Sequence, residues 1–282
     1  MTTDILLAQP RIHYPTFAAE LFRRHSLFAG GALCLVALMA PTLVAMALDQ
    51  RTFLDINVWI KPLKFQVALA TYLATLAWFA GWLPTSVVVS RWHRIFSTVV
   101  VLAVGAEVAW IFGAAALGTA SHFNDSSPVA AGLYTFMGVL AVTLTSASLV
   151  YGIVILRDRH SRLDSVFRLS VGIGLIATFV LTVIVAGTMS SNGSHFVGGA
   201  HSDAGGLAVI GWARDGGDLR VAHFFATHAM HFIPAFGLIA GCMLPTGRGR
   251  VAVLAFTGLF VVLVAYAFID ALSGRPFLSM LS

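Results

Sequence analysis

The chain has 282 residues, of which 58% are hydrophobic and only 10% charged, and its mean hydropathy is +0.88. A soluble domain is nearer a quarter charged, so this composition excludes an ordinary soluble protein. The formal net charge of +5 and the pI near 9.7 come from basic residues spread over the connections, so a nucleic-acid partner is not needed to explain them.

In chain order, residues 1–25 form an N-terminal cytoplasmic or interfacial segment. Phe17, Leu21 and Phe22 recur near the helical period, which predicts a short interfacial helix between Asp4 and Arg24. The first apolar run begins too late for a cleavable signal. Seven apolar runs follow, at 26–48, 57–83, 95–118, 129–156, 167–189, 221–244 and 251–272. Each exceeds the roughly 18 residues that cross a hydrocarbon core of about 30 Å as a helix. The expected fold is all-α: a polytopic bundle of seven transmembrane helices over 26–272, then a short tail at 273–282.

Most connections are short, which favours antiparallel neighbours. The exception is the glycine-rich stretch 191–220, expected to be functional or mobile. Cys34 and Cys242 both fall inside spans and imply no disulfide. Trp59, Trp82, Trp92 and Trp212 fall near span ends and read as aromatic belts. Gly30-Gly31, Gly172 with Gly174, and Gly237 with Gly241 are places where helix backbones can approach closely, and Pro234 should kink the sixth span.

Basic residues set the expected orientation. One side of the membrane collects Arg11, Arg23, Arg24, Arg91, Arg94, Arg157, Arg159, Arg162, Arg168, Arg248 and Arg250, and the other only Arg51, Lys61, Lys64, Arg214, Arg220 and Arg275. The positive-inside bias puts the N-terminus in the cytoplasm and the C-terminus outside. The long loop is then extracytoplasmic.

The sixth span carries His223, His228 and His231. Imidazole is costly in hydrocarbon, so such a segment turns that face to a cavity, a cofactor or another helix. At about 1.5 Å per residue, His231 lies about 15 Å below the outer surface and Glu107, in the third span, about 16 Å below it. Lys61 and Lys64 open the second span on that same side, while the inner half offers mainly hydroxyls such as Thr71, Thr75, Ser146 and Ser148. This pattern predicts an outward-opening polar vestibule.

The sharpest reading is metal binding. His228 and His231, three residues apart, share a helix face; Glu107 adds a carboxylate, and His122 and His223 complete a candidate ligand set for Zn²⁺, Fe²⁺ or Cu²⁺. Glu107 and Lys64 are the candidate catalytic groups, Lys64 through an anionic substrate group or by pairing with Glu107. Haem is a variant of this reading: only the sixth span is expected to hold histidines within the bilayer, so a haem would sit near the outer surface, using His122 or a loop histidine opposite His228 or His223. Such a site would serve hydrolytic or redox chemistry on a lipid or small periplasmic substrate. A second reading is a proton-coupled transporter of a small solute or ion using Glu107 and His231, and a third a scaffold or sensor subunit. No sequence motif identifies a reaction.

The stretches Asn57-Val-Trp-Ile-Lys-Pro-Leu-Lys-Phe65, Gly118-Thr-Ala-Ser-His-Phe-Asn124 and Gly216-Gly-Asp-Leu-Arg-Val-Ala-His-Phe-Phe-Ala-Thr-His-Ala229 resemble those of bacterial multi-pass membrane proteins of uncharacterised activity. The resemblance implies seven helices and a bacterial inner membrane, and no activity. Retinal-binding rhodopsins need a lysine in the last helix, which 251–272 lacks. The adiponectin-receptor and alkaline-ceramidase type of zinc hydrolase places its paired histidines on the last helix, where this chain has none.

Overall fold

The structure, a computed structural model, describes residues 16–207 and 209–277. Its helices are α1 (Phe17–Arg24), α2 (Ser26–Leu48), α3 (Ile60–Ala80), the single turn α4 (Thr85–Val88), α5 (Arg91–Leu117), α6 (Pro128–Arg157), α7 (Ser165–Asn192), α8 (Leu219–Met243) and α9 (Thr246–Leu272). All but α1 and α4 are long and apolar enough to cross a membrane. This is the expected seven-helix, all-α, multi-pass architecture. Leu102, Val142, Leu259 and Val262 are among many exposed apolar side chains on these helices. They would be a liability in water and are the natural face toward lipid.

Local chemistry accounts for the helix ends. The Ser90 side chain accepts from His93 N, Ser127 caps α6 with Pro128 following, and Asp164 accepts from Val166 N and Phe167 N at the start of α7. At the other end of α5 and of α7, Gly118 and Gly193 both take φ +66, the left-handed stop that glycine adopts without a Cβ penalty. Helix α7 packs along α8 and α6, α8 also meets α9, and α3 rests on α2 and α5. Glycine is needed where α7 meets α8: a Cβ on Gly174 would lie 2.9 Å from Pro234 Cδ, and one on Gly237 would overlap Ser170. Helix α8 continues through Pro234 to Met243.

Two short antiparallel ladders decorate one end of the bundle, called here the loop end. Strands β1 (Thr52–Phe53) and β2 (Ile56–Asn57) form a hairpin whose turn residues Leu54 and Asp55 take φ 52 and 64. Strands β3 (Phe196–Val197) and β4 (Gly217–Asp218) pair Phe196 with Asp218.

Several expectations need correction. Helix α5 begins at Arg91, so His93 is helical and buried at 2% exposure instead of lying in a connection. Trp212 is no belt residue: it is 6% exposed, enclosed by Phe224, Phe225 and Phe277. The tail is tied down through Phe277, and the long loop is held by the bonds described next. A short helix is present there as α1; the part of that expectation at residues 4–15 lies outside the described residues.

Candidate functional site

The loop between α7 and α8 is organised by one carboxylate. Asp218, 1% exposed, accepts from Ala213 N, from Arg220 N and from the Arg220 guanidinium, while Arg220 also donates to Asp203 and to Gly211 O. His195 Nε2 lies 3.7 Å from Asp203. Burial pushes the Asp203 carboxyl up, but His195 and Arg220 outweigh it and hold the group below its ordinary value. Burial likewise holds His195 down, below the usual imidazole value. The loop is then stitched to the first hairpin by Asp203 N to Leu54 O (3.0 Å) and Ser202 Oγ to Asp55 (2.7 Å). Lys64 Nζ donates to Ile210 O at 2.9 Å. The loop is a bonded cap.

Beneath this cap lie the titratable groups. Residues His93, Ser97, Val100, Val104, Glu107 and Ile111 are buried on one face of α5 at helical spacing, so the face that packs the core carries Glu107 inward with it. Glu107 is 3% exposed, and its Oε1 has no hydrogen-bond partner among the described residues. Its charged neighbour is Lys61, with no ion pair closed between them. Lys64, expected to play that part, is exposed and spent on the cap. His122 sits in the connection after α5, 3.0 Å from Ser121 Oγ. Burial first, then Lys61, His223 and His195 around it, hold His122 well below the ordinary imidazole value. His223 is therefore part of the cluster, and its buried Nδ1 has no hydrogen-bond partner among the described residues.

His228 and His231 have assignable tautomers. His228 Nδ1 lies 2.8 Å from Phe224 O, which can only accept, so Nδ1 carries the proton and Nε2 keeps its lone pair. The Thr75 hydroxyl donates to Thr71 O at 2.7 Å, so it must accept from His231 Nε2–H at 2.9 Å. His231 Nδ1 is then a buried acceptor without a donor. The two rings are 5.2 Å apart, and Phe224 stacks on His228 at 4.1 Å. His231 thus reaches across to α3 and makes no bond to Glu107, the partner its depth suggested.

Among the described residues no three His, Cys, Asp or Glu side chains come together in a way that could hold a metal ion. His228, His231, Glu107, His122 and His223 do not converge on a point: His122 and His223 lie near the loop end, while His231 is at the middle of α8. Both groups face α3 but at different levels: His231 is spent on Thr75, whereas Glu107 faces Lys61, fourteen residues nearer the loop end of that helix.

No family model, curated protein or solved structure matches the chain. The reading of the site rests on its own geometry.

Two polar residues, Gln66 and His93, escaped the sequence, and the inward-facing lysine was misassigned. Lys61 and Lys64 share one helix start, and only the rotation of α3 decides which faces inward. Gln66, 0% exposed with neither amide atom bonded among the described residues, follows Pro62 on the buried face. His93 hid among Arg91, Trp92 and Arg94; extending the α5 period back from Glu107 through Val104, Val100 and Ser97 would have found it.

Proposed function

We propose that this is a proton-translocating protein of a bacterial inner membrane, with its N-terminus in the cytoplasm and its capped site toward the outside. Glu107 is the carboxyl that takes up and releases the proton. The observation that carries this reading is the buried Glu107 oxygen with no partner, close to Lys61 but not paired with it. A carboxylate kept inside a span without a closed ion pair is costly unless it changes protonation. Lys61 balances the charge when Glu107 ionises, and the depressed His122 stays a neutral acceptor beside it. A coupled small solute or ion would occupy the same polar space under the cap. In proteoliposomes carrying an internal pH dye, a potassium potential set with valinomycin should drive proton flux, and Glu107→Gln should abolish it. Absent flux in the parent protein, or full flux in Glu107→Gln, overturns the reading.

One observation favours metal binding as a second reading. His228 and His231 each have one N–H fixed by an oxygen, leaving lone pairs on Nε2 and Nδ1 one helical turn apart, the way ligand histidines are commonly oriented. The first-row metals Zn, Fe and Cu suit such nitrogens, and hydrolytic or redox chemistry on a lipid or small substrate would follow. Elemental analysis of purified protein tests it: stoichiometric metal lost in His228→Ala supports it, and metal-free protein grown with each metal supplied rules it out.

A further inference from the structure

At the end of the bundle away from the cap, a second polar cluster lies outside the site just described. His93 Nε2 is 2.9 Å from the hydroxyl of Tyr151, which is 0% exposed, and the His25 ring meets His93 at 5.3 Å, edge to face. Tyr151 also lies close to Ser97 and Tyr72. Ser97 is 1% exposed, and its hydroxyl faces that of Tyr151 without closing a full hydrogen bond among the described residues. Apolar packing alone does not call for this group. A histidine, a tyrosine and a serine at the junction of α5 and α6 are expensive there, and one of their hydroxyls is unsatisfied.

The cluster stands on the same face of α5 as Glu107. His93 and Glu107 are separated by fourteen residues, about 21 Å of helix. Between Ser97 and Glu107 that face carries only Val100, Ala103 and Val104, all buried.

The geometry points to a proton route along the α5 face, running from Glu107 at the capped end to the Tyr151–His93 pair at the other. This inference rests on the proton-translocating reading of Glu107. The apolar stretch at Val100 and Val104 is the barrier, crossed by transient water that Ser97 can bond at its far side. At the far end, the Tyr151 O–H bond breaks as a proton forms a bond to His93 Nε2. The proton that Glu107 releases, carried by the water beside Ser97, restores the Tyr151 hydroxyl in the same step, and the Glu107 carboxylate takes up a new proton from the capped side. The imidazolium then releases its Nδ1 proton toward the aqueous end, and the ring must exchange tautomers before the next transfer. One proton enters and one leaves.

The test uses the same proteoliposomes. His93→Gln keeps the side-chain size, and Tyr151→Phe removes a single oxygen. Each should lower proton flux by about a hundredfold, what a positioned proton acceptor or donor supplies. Added imidazole should restore flux in His93→Gly, which a purely structural role would not allow. If Glu107→Gln abolishes flux while folded His93→Gln and Tyr151→Phe conduct at the parent level, the route is overturned and the Glu107 reading stands. If His93→Gln and Tyr151→Phe lose flux but imidazole restores none in His93→Gly, the proton role of His93 is overturned. Should Glu107→Gln conduct normally, both fall together.

Discussion

The two ends of the bundle hold buried polar groups by opposite means. At the loop end charges are present, and in the cap they are paired locally: Asp218 and Asp203 enclose Arg220. At the opposite end the buried groups are neutral, His93 on Tyr151, and the nearby charge is kept at the rim. There Arg24 stacks 3.9 Å above Trp78, donates to Trp78 O and pairs with Glu20. The Arg23 and Arg24 hydrogen bonds hold Glu20 down to about 2. A loop of many residues can be shaped around a charge, whereas short connections leave only helix faces, on which neutral pairs are cheaper.

The contrast can be broken from either side. Asp218→Ala should have the largest effect, because it leaves Arg220 with one carboxylate and frees Ala213 N; a loss of about 3 kcal/mol is expected. Thermal midpoints and proteolysis within 193–217 would register it, and an unchanged proteolysis pattern would show that the cap does not depend on Asp218. Tyr151→Phe strips His93 Nε2 of its partner and should cost about 2 kcal/mol, read as a lower midpoint with the cap still protected.

Acid should separate the ends less sharply. Burial, and then His93, push His25 down to about 4, and burial also lowers His122 and His195. Below about pH 6.5 the unfolded chain binds protons that these folded imidazoles refuse. The stability they contribute is therefore present above that pH and lost as pH falls toward 4. A midpoint that holds steady between pH 7 and 4.5 would contradict this. Arg24→Leu, which forfeits the contact with Trp78, should cost about 1 kcal/mol. Lys64→Met, at an exposed bond, should cost about 0.5 kcal/mol and be the smallest change.

Much of this architecture was legible in the residues, for particular reasons. Hydropathy locates a span because every backbone group in hydrocarbon must bond within its own helix, so all seven were found. Glu107 was equally visible, being a lone carboxylate in an apolar run. What stayed hidden depends on rotation about a helix axis and on loop closure. Three residues separate Lys61 from Lys64, and nothing local says which one turns inward. Trp212 sits near a span end, as belt residues do, yet the closing of the loop buries it against Phe224 and Phe277. Counting residues put His231 level with Glu107, but such a count carries neither tilt nor azimuth, and its partner proved to be Thr75.

The bonds that fasten the cap also constrain the order in which the molecule can be made. Ser202 reaches Asp55 across 147 residues and Lys64 reaches Ile210 across 146. A ribosome emits the first hairpin and α3 long before the loop exists. Until the polypeptide between α7 and α8 has emerged, Lys61 and Glu107 have no roof. The early helices must therefore wait in the bilayer with these two groups uncovered, and closure of the site is among the last events of biogenesis.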